Sequence, residues 1–119
     1  MTARDYSPRR DPADAGFERV ASVAELPEGT LLGVTCGSGV AVCLFNSAGR
    51  IGAIAELCTH QAFPLSQGML QPDGTVQCSW HGAKFDCATG QVREGPAMDP
   101  IRVYETRIRD GEIWVGPAR

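Results

Sequence analysis

Two short segments of the sequence each combine a cysteine with a histidine. The first is Cys-Thr-His at residues 58–60, and the second is Cys-Ser-Trp-His at residues 78–81. The chain has only two histidines, His60 and His81, and each lies close to one of the cysteines Cys58 and Cys78. Two thiolates and two imidazoles are a donor set for tetrahedral zinc or for an iron–sulfur cluster. The spacing therefore predicts a metal centre that is held by two loops.

The grouping of the ligands bears on the choice between zinc and iron. Common zinc fingers place two cysteines together and two histidines together, whereas here each pair is mixed. Mixed pairs suit a binuclear cluster in which two thiolates bind one iron and two imidazoles bind the other. A zinc-stabilised structural module stays open as the alternative of another class, and a colourless protein that contains zinc and no iron would identify it.

Composition and charge narrow the class of protein. The five cysteines are an odd number and no signal peptide precedes them, so a disulfide framework is not expected. Cys36, Cys43 and Cys87 are expected to be structural. The net charge of −3 argues against nucleic-acid and anionic-membrane partners, and no run reaches the roughly 18 apolar residues that span a bilayer. We expect a cytoplasmic protein.

The rest of the sequence predicts an all-β fold, a sandwich or barrel of short antiparallel strands with frequent turns. Residues 1–16 are polar and are expected to form a flexible leader before a single domain at residues 17–119. Ser22 and Glu25 have the spacing of a capping box, which predicts one helical turn. Loops are expected at residues 57–68 and 78–82, and Tyr104 and Trp114 are expected in the core. Strands are predicted at residues 17–20, 30–36, 40–45, 51–55, 75–77, 84–86, 91–93, 101–108 and 112–115.

The two Cys/His pairs resemble the Rieske ferredoxin family, whose pattern is C-x-H followed at a distance by C-x-x-H. Both halves are intact here, with residues 61–77 between them. The resemblance extends over roughly residues 17–116. The further positions that carry it are Leu65, Ser66, Gly68, Lys84, Phe85, Thr89, Gly90, Val92, Gly95 and Pro96.

The resemblance implies a Rieske-type antiparallel sandwich or barrel with a small cluster-binding subdomain made of two loops. It implies one [2Fe–2S] cluster, with Cys58 and Cys78 on the inner iron and His60 and His81 on the outer iron. The residues that would surround or shield this cluster are Phe63, Pro64, Trp80, Gly82, Ala83, Gly95 and Pro96.

The family also implies a function. High-potential members carry an extra cysteine in each loop and hydroxyl groups near the second loop, whereas this chain has Phe63, Trp80, Ala83 and Phe85 at those positions. We therefore expect a potential near the low end of the Rieske range, about −150 mV.

A chain of this kind would carry one electron at a time and would not be an enzyme by itself. The expected partners are a flavin-dependent ferredoxin reductase and a terminal oxygenase, one that hydroxylates aromatic rings, and the free protein would be monomeric. The alternative is the small Rieske subunit of an assimilatory nitrite reductase, which would be bound stably to a large subunit.

Overall fold

The computed structural model describes residues 16–59, 62–79, 82–95 and 99–119. Within these residues, two antiparallel sheets account for all the named strands. No helix in this part of the chain is long and apolar enough to cross a membrane. The strands are β1 Glu18–Ser22, β2 Leu31–Thr35, β3 Ala41–Ser47, β4 Arg50–Ala55, β5 Met69–Leu70, β6 Thr75–Gln77, β7 Lys84–Asp86, β8 Val92–Glu94, β9 Val103–Arg109 and β10 Glu112–Ala118.

The larger sheet has six strands in the order β1-β10-β9-β4-β3-β2. Side chains alternate along the central strand β3, as the two-residue period of a strand requires. Val42 and Leu44 lie in a core on one side of the sheet, while Cys43 and Phe45 lie in a second core on the other side. Because a core covers each face of the sheet, residues 41–45 of β3 are all apolar.

The smaller sheet has four strands in the order β5-β6-β7-β8. Its fully buried Val76 and Phe85 are paired across β6 and β7. They belong to the same core as Cys43 and Phe45, so this core joins the two sheets. Cys58 and Cys78 belong to this core as well, and the packing that holds the sheets together therefore also holds the two predicted thiolate ligands.

The all-β prediction is confirmed, and most predicted strands match within one or two residues at each end. The short strand β5 and the 3-10 turn Leu65–Gln67 were not predicted, because two or three residues carry too little periodicity to be recognised. The capping box is present: Ser22 N donates to Glu25 Oε1 at 2.9 Å, before the 3-10 turn Val23–Glu25. The cluster-binding subdomain, which was expected to consist of two loops, therefore also contains the smaller sheet, and this sheet supports the loops.

Three side chains differ from their expected positions. Cys36 lies just after β2 and is half-buried, because its N–H already closes a turn onto the carbonyl of Val40. Tyr104 and Trp114 are only partly buried, whereas both were expected in the core. The predicted leader at residues 1–16 falls, except for Gly16, outside the described residues.

Candidate metal centre

Cys58 and Cys78 each begin a six-residue loop that is closed by the same backbone hydrogen bond. The N–H of Cys58 donates to the carbonyl of Phe63, with 2.9 Å between N and O. The N–H of Cys78 donates to the carbonyl of Ala83, at 2.7 Å. Both bonds span five residues, so the two loops start and finish in the same way although their sequences differ.

The fifth residue of each loop has a left-handed backbone conformation. Ala62 has a φ of 54° and Gly82 has a φ of 76°. This region favours glycine, and a residue with a Cβ loses on the order of 1 kcal/mol there. The two loops therefore turn back by the same conformation, and the second adopts it with the less strained residue.

The two thiol side chains lie on the inner side of these loops. Cys58 is 3% exposed and Cys78 is 1% exposed. Both share the core between the sheets with the fully buried side chains of Leu65, Val76 and Phe85. Water is therefore kept from the side of the loops where the thiolates would bind a metal.

The first loop is held by a short ladder at its base. The N–H of Leu65 donates to the carbonyl of Glu56 at 2.6 Å, and Leu57 pairs with Pro64 in an isolated antiparallel bridge. Farther out, the hydroxyl of Thr59 donates to the carbonyl of Asp99 at 2.8 Å. The loop is thus tied to the larger sheet at one end and to the segment of residues 95–100 at the other.

The second loop lies between two paired strands. Residue Gln77 at the end of β6 is the partner of Lys84 at the start of β7, so the loop replaces a hairpin turn. The next turn, between β7 and β8, is fixed by Asp86, whose Oδ1 accepts from the N–H of Ala88 at 2.9 Å and of Thr89 at 3.1 Å. Backbone pairing before the loop and these side-chain hydrogen bonds after it therefore fix the strands on which the second loop rests.

Among the four predicted ligands, the structure describes only the two cysteines. His60 and His81 lie outside the described residues, as do Trp80 and Pro96. No group of three or more histidine, cysteine or acidic side chains that could hold a metal occurs within residues 16–59, 62–79, 82–95 and 99–119. The set of four ligands, Cys58, His60, Cys78 and His81, therefore stays a prediction.

Five of the predicted shielding residues are described, and all of them except Gly95 are at least partly buried. Ala83 is fully buried, and Phe63 and Pro64 are partly buried at the end of the first loop. Gly82 is partly buried and closes the second loop through its positive φ, whereas Gly95 is exposed.

The two other buried cysteines are poor candidates for ligands. Burial, together with the smaller effects of the nearby carboxylates of Asp86 and Asp73, raises the pKa of Cys87 to about 12. Burial also raises the pKa of Cys43, with smaller effects from Glu56 and from Cys87. A thiol that keeps its proton is neither a good nucleophile nor a good metal ligand, which supports the structural role expected for both.

The family profile for the Rieske [2Fe–2S] domain matches residues 16–105, a stretch that includes both loops and both Cys/His pairs. The chain belongs to this family. It therefore has a Rieske-type [2Fe–2S] cluster as its cofactor rather than zinc, and the buried thiol pair on two matching loops fits half of that cluster's donor set.

Individual relatives agree with this assignment. The 3-phenylpropionate/cinnamic acid dioxygenase ferredoxin subunit of Escherichia coli (strain K12) is 37% identical over 93 residues, which are 78% of this chain and 86% of that protein. The ferredoxin of carbazole 1,9a-dioxygenase from Nocardioides aromaticivorans IC177 has a TM-score of 0.78 at 28% identity, over 86% of this chain and 98% of that one.

A second solved structure, that of an NADH-dependent nitrite reductase small subunit from Mycobacterium tuberculosis, has a TM-score of 0.74 at 24% identity. The match covers 87% of this chain and 94% of that chain, and it shows the fold alone. The curated relatives that are 36–37% identical to this chain are ferredoxin subunits of a dioxygenase, which are electron-transfer components and not catalytic subunits. The expectation that this chain is an electron carrier is confirmed.

Two residues that hold the first loop were missed by sequence reasoning. Glu56 and Thr59 were not singled out, although each is next to or near Cys58. A signal was present for Glu56, because a charged residue directly follows the apolar strand β4. None was present for Thr59, whose partner Asp99 is 40 residues away in the sequence.

Proposed function

We propose that this chain carries single electrons to a terminal oxygenase that hydroxylates aromatic rings. The observation that carries the proposal is the pair of matching loops with buried thiols, in a chain that is 37% identical to the ferredoxin subunit of a dioxygenase. The domain at residues 17–119 is sufficient for this task, and no catalytic group is required of it.

The burial of the cysteines suggests the side of the cluster from which an electron leaves. The cluster supplies a reversible one-electron change when it is bound. Since Cys58 and Cys78 face the core, we assign them to the inner iron, and we assign His60 and His81 to the outer iron. The histidine side is then the shortest route for an electron to leave, and contact with a partner need be only small and short-lived.

The environment of the second loop supports a low reduction potential. Ala83 and Phe85 are both fully buried, and neither has a hydroxyl group that could donate a hydrogen bond to the cluster or its ligands. Hydrogen bonds to sulfur stabilise the reduced, more negative state, so their absence lowers the potential. A value near the low end of the Rieske range, about −150 mV, suits an oxygenase system better than quinol oxidation.

The expected donor is a flavin-dependent ferredoxin reductase, and we propose a monomeric, cytoplasmic carrier. The same fold occurs in the nitrite reductase small subunit described above, so a stable enzyme subunit is the competing function. The higher sequence identity to dioxygenase ferredoxins favours the free carrier.

Two measurements on the purified cluster-containing protein test the proposal. In a redox titration followed by electron paramagnetic resonance, we expect a rhombic Rieske signal that appears only at low potential. In a stopped-flow experiment, the reduced protein should be oxidised on mixing with an oxidised Rieske-type terminal oxygenase of an aromatic substrate. A clearly positive potential would overturn the low-potential assignment. Isolation from its native host only in a stable complex with a nitrite reductase large subunit would overturn the free carrier.

A further inference from the structure

Glu56 is the residue that joins the first cluster loop to the larger sheet. It follows β4 directly and comes two residues before Cys58, and its side chain is half-buried. Its Oε1 accepts from the N–H of Ser66 at 3.0 Å, and its Oε2 accepts from the hydroxyl of the same serine. The carboxylate of Glu56 therefore accepts two hydrogen bonds from Ser66, one from its backbone N–H and one from its hydroxyl.

The backbone of Glu56 makes two more bonds at the same point. Its N–H donates to the carbonyl of Ala41 on β3 at 3.2 Å, and its carbonyl accepts from the N–H of Leu65 at 2.6 Å. The strand before the loop and the turn after it are thus fixed to one residue. Any displacement of Glu56 would move both ends of the loop that carries Cys58.

The space around the carboxylate is closed by a glycine of β2. A Cβ placed on Gly33 would lie 2.5 Å from Glu56 Oε2 and 2.8 Å from Ser66 Oγ. These distances are shorter than any ordinary contact, so the pair fits only because this position has no side chain. The β2 backbone, Glu56 and Ser66 form one packed unit, which we call the loop anchor.

The described partners of the Glu56 carboxylate are an amide and a hydroxyl rather than a cation. Within the described ranges, none of the observed ion pairs of Lys and Arg side chains includes Glu56. Its field reaches the core between the sheets, since it contributes to the raised pKa of Cys43 there. Cys58 lies in that same core and is only two residues from Glu56 in the sequence.

We infer that Glu56 is a positioning residue for the cluster: its carboxylate holds the loop that carries Cys58 and His60 through Ser66, and its negative charge keeps the reduction potential low. The charge acts electrostatically, because a nearby anion opposes the gain of an electron. The hydrogen bonds act mechanically, because a fixed loop protects the bound iron. The inference rests on the ligand assignment made above and is independent of the acceptor's identity.

Three variants of the cluster-containing protein separate charge from position, with reduction potential and the rate of iron release to a chelator as readouts. Glu56→Gln keeps an oxygen for the Ser66 N–H and removes the charge, so the potential should rise while iron release stays at the wild-type rate. Ser66→Ala keeps the charge and loses the hydroxyl bond, so the potential should stay unchanged. Glu56→Ala loses the charge and both hydrogen bonds to Ser66, so the potential should rise and iron release should be at least about five-fold faster, the factor that a single lost hydrogen bond gives.

Glu28→Gln is the matched control for the loss of one carboxylate charge. Glu28 is exposed beside Gly49, in the turn that precedes β4. Since Glu56 follows the last residue of β4, the two carboxylates are separated by about 17 Å of strand. A potential for Glu56→Gln that equals that of Glu28→Gln would overturn the electrostatic part of the inference. Iron release from Glu56→Ala at the wild-type rate would overturn the positioning part.

Gly33→Ala provides a second test in case Glu56→Ala does not retain a cluster. It leaves both partners in place and pushes them apart sterically, so it should speed iron release and broaden the paramagnetic signal without removing any charge. An unchanged release rate and signal would show that the loop anchor does not position the cluster. None of these readouts uses an oxygenase, so failure of the proposed acceptor would leave the inference standing.

Discussion

Replacement of Thr59 by valine tests whether a single exposed hydrogen bond protects the cluster. Thr59 lies between Cys58 and His60, and its hydroxyl donates to the carbonyl of Asp99 at 2.8 Å. This bond ties the first loop to a residue that lies four positions after Gly95, which the family resemblance assigns to shielding. Valine has nearly the same shape as threonine and cannot donate, so the variant removes the bond and little else.

The expected size of the effect follows from the net value of a hydrogen bond. A neutral bond that competes with water contributes about 0.5–1.5 kcal/mol, so its loss should increase the population of the open loop by about 2- to 13-fold. The bond is exposed, which places the effect toward the lower half of that range. If a chelator reaches iron only through the open loop, the rate of iron release should increase by the same factor.

The assay is the release of ferrous iron from the reduced protein into a coloured chelator, measured at several chelator concentrations. Thr30→Val is a matched control, because Thr30 also donates its hydroxyl to a backbone carbonyl, that of Pro27 at 2.6 Å. It lies directly before β2, outside both cluster loops. Thr59→Ser should release iron at nearly the wild-type rate, since serine retains the donor.

Equal rates for Thr59→Val and Thr30→Val would refute the reasoning, because they would show that the bond to Asp99 does not limit access to iron. A slow rate in Thr59→Ser together with a slow rate in Thr59→Val would lead to the same conclusion. A fast rate in the serine variant would also count against it, since the hydroxyl would then not be the group that matters.

Three further predictions concern the ligands and the buried side chains. His81→Cys should lower the reduction potential, because a charged thiolate replaces a neutral imidazole, and a redox titration that shows an equal or higher value would contradict the charge argument. Ala83→Ser should raise the potential by about 40–90 mV if the new hydroxyl stabilises the reduced state by about 1–2 kcal/mol, whereas the exposed Ala88→Ser should leave it unchanged. Cys43 and Cys87 should resist alkylation at pH 8 in the folded protein and react after unfolding, because burial raises the pKa of each thiol. Mass spectrometry that finds either thiol labelled in the native state would show that this core opens.

The chemistry of the centre was predictable because it depends on residue types and short spacing. Only two histidines occur, and each follows a cysteine by two or three residues, so the four donors could be proposed before any fold was known. The all-β class was predictable for a similar reason, since strand and turn signals are local. The boundaries of short elements such as β5 were not, because they depend on pairing with a distant strand.

The contacts that hold the first loop were decided by tertiary structure. Thr59 meets Asp99 across 40 residues, and Glu56 reaches Ser66 only because the loop between them folds back on itself. Gly33 is required by the close approach of that pair, and nothing in its own neighbourhood in the sequence shows this. Local patterns specify which atoms can bind a metal, whereas the burial, charge and fixed position of those atoms arise from segments far apart in the chain, and only the folded chain brings these segments together.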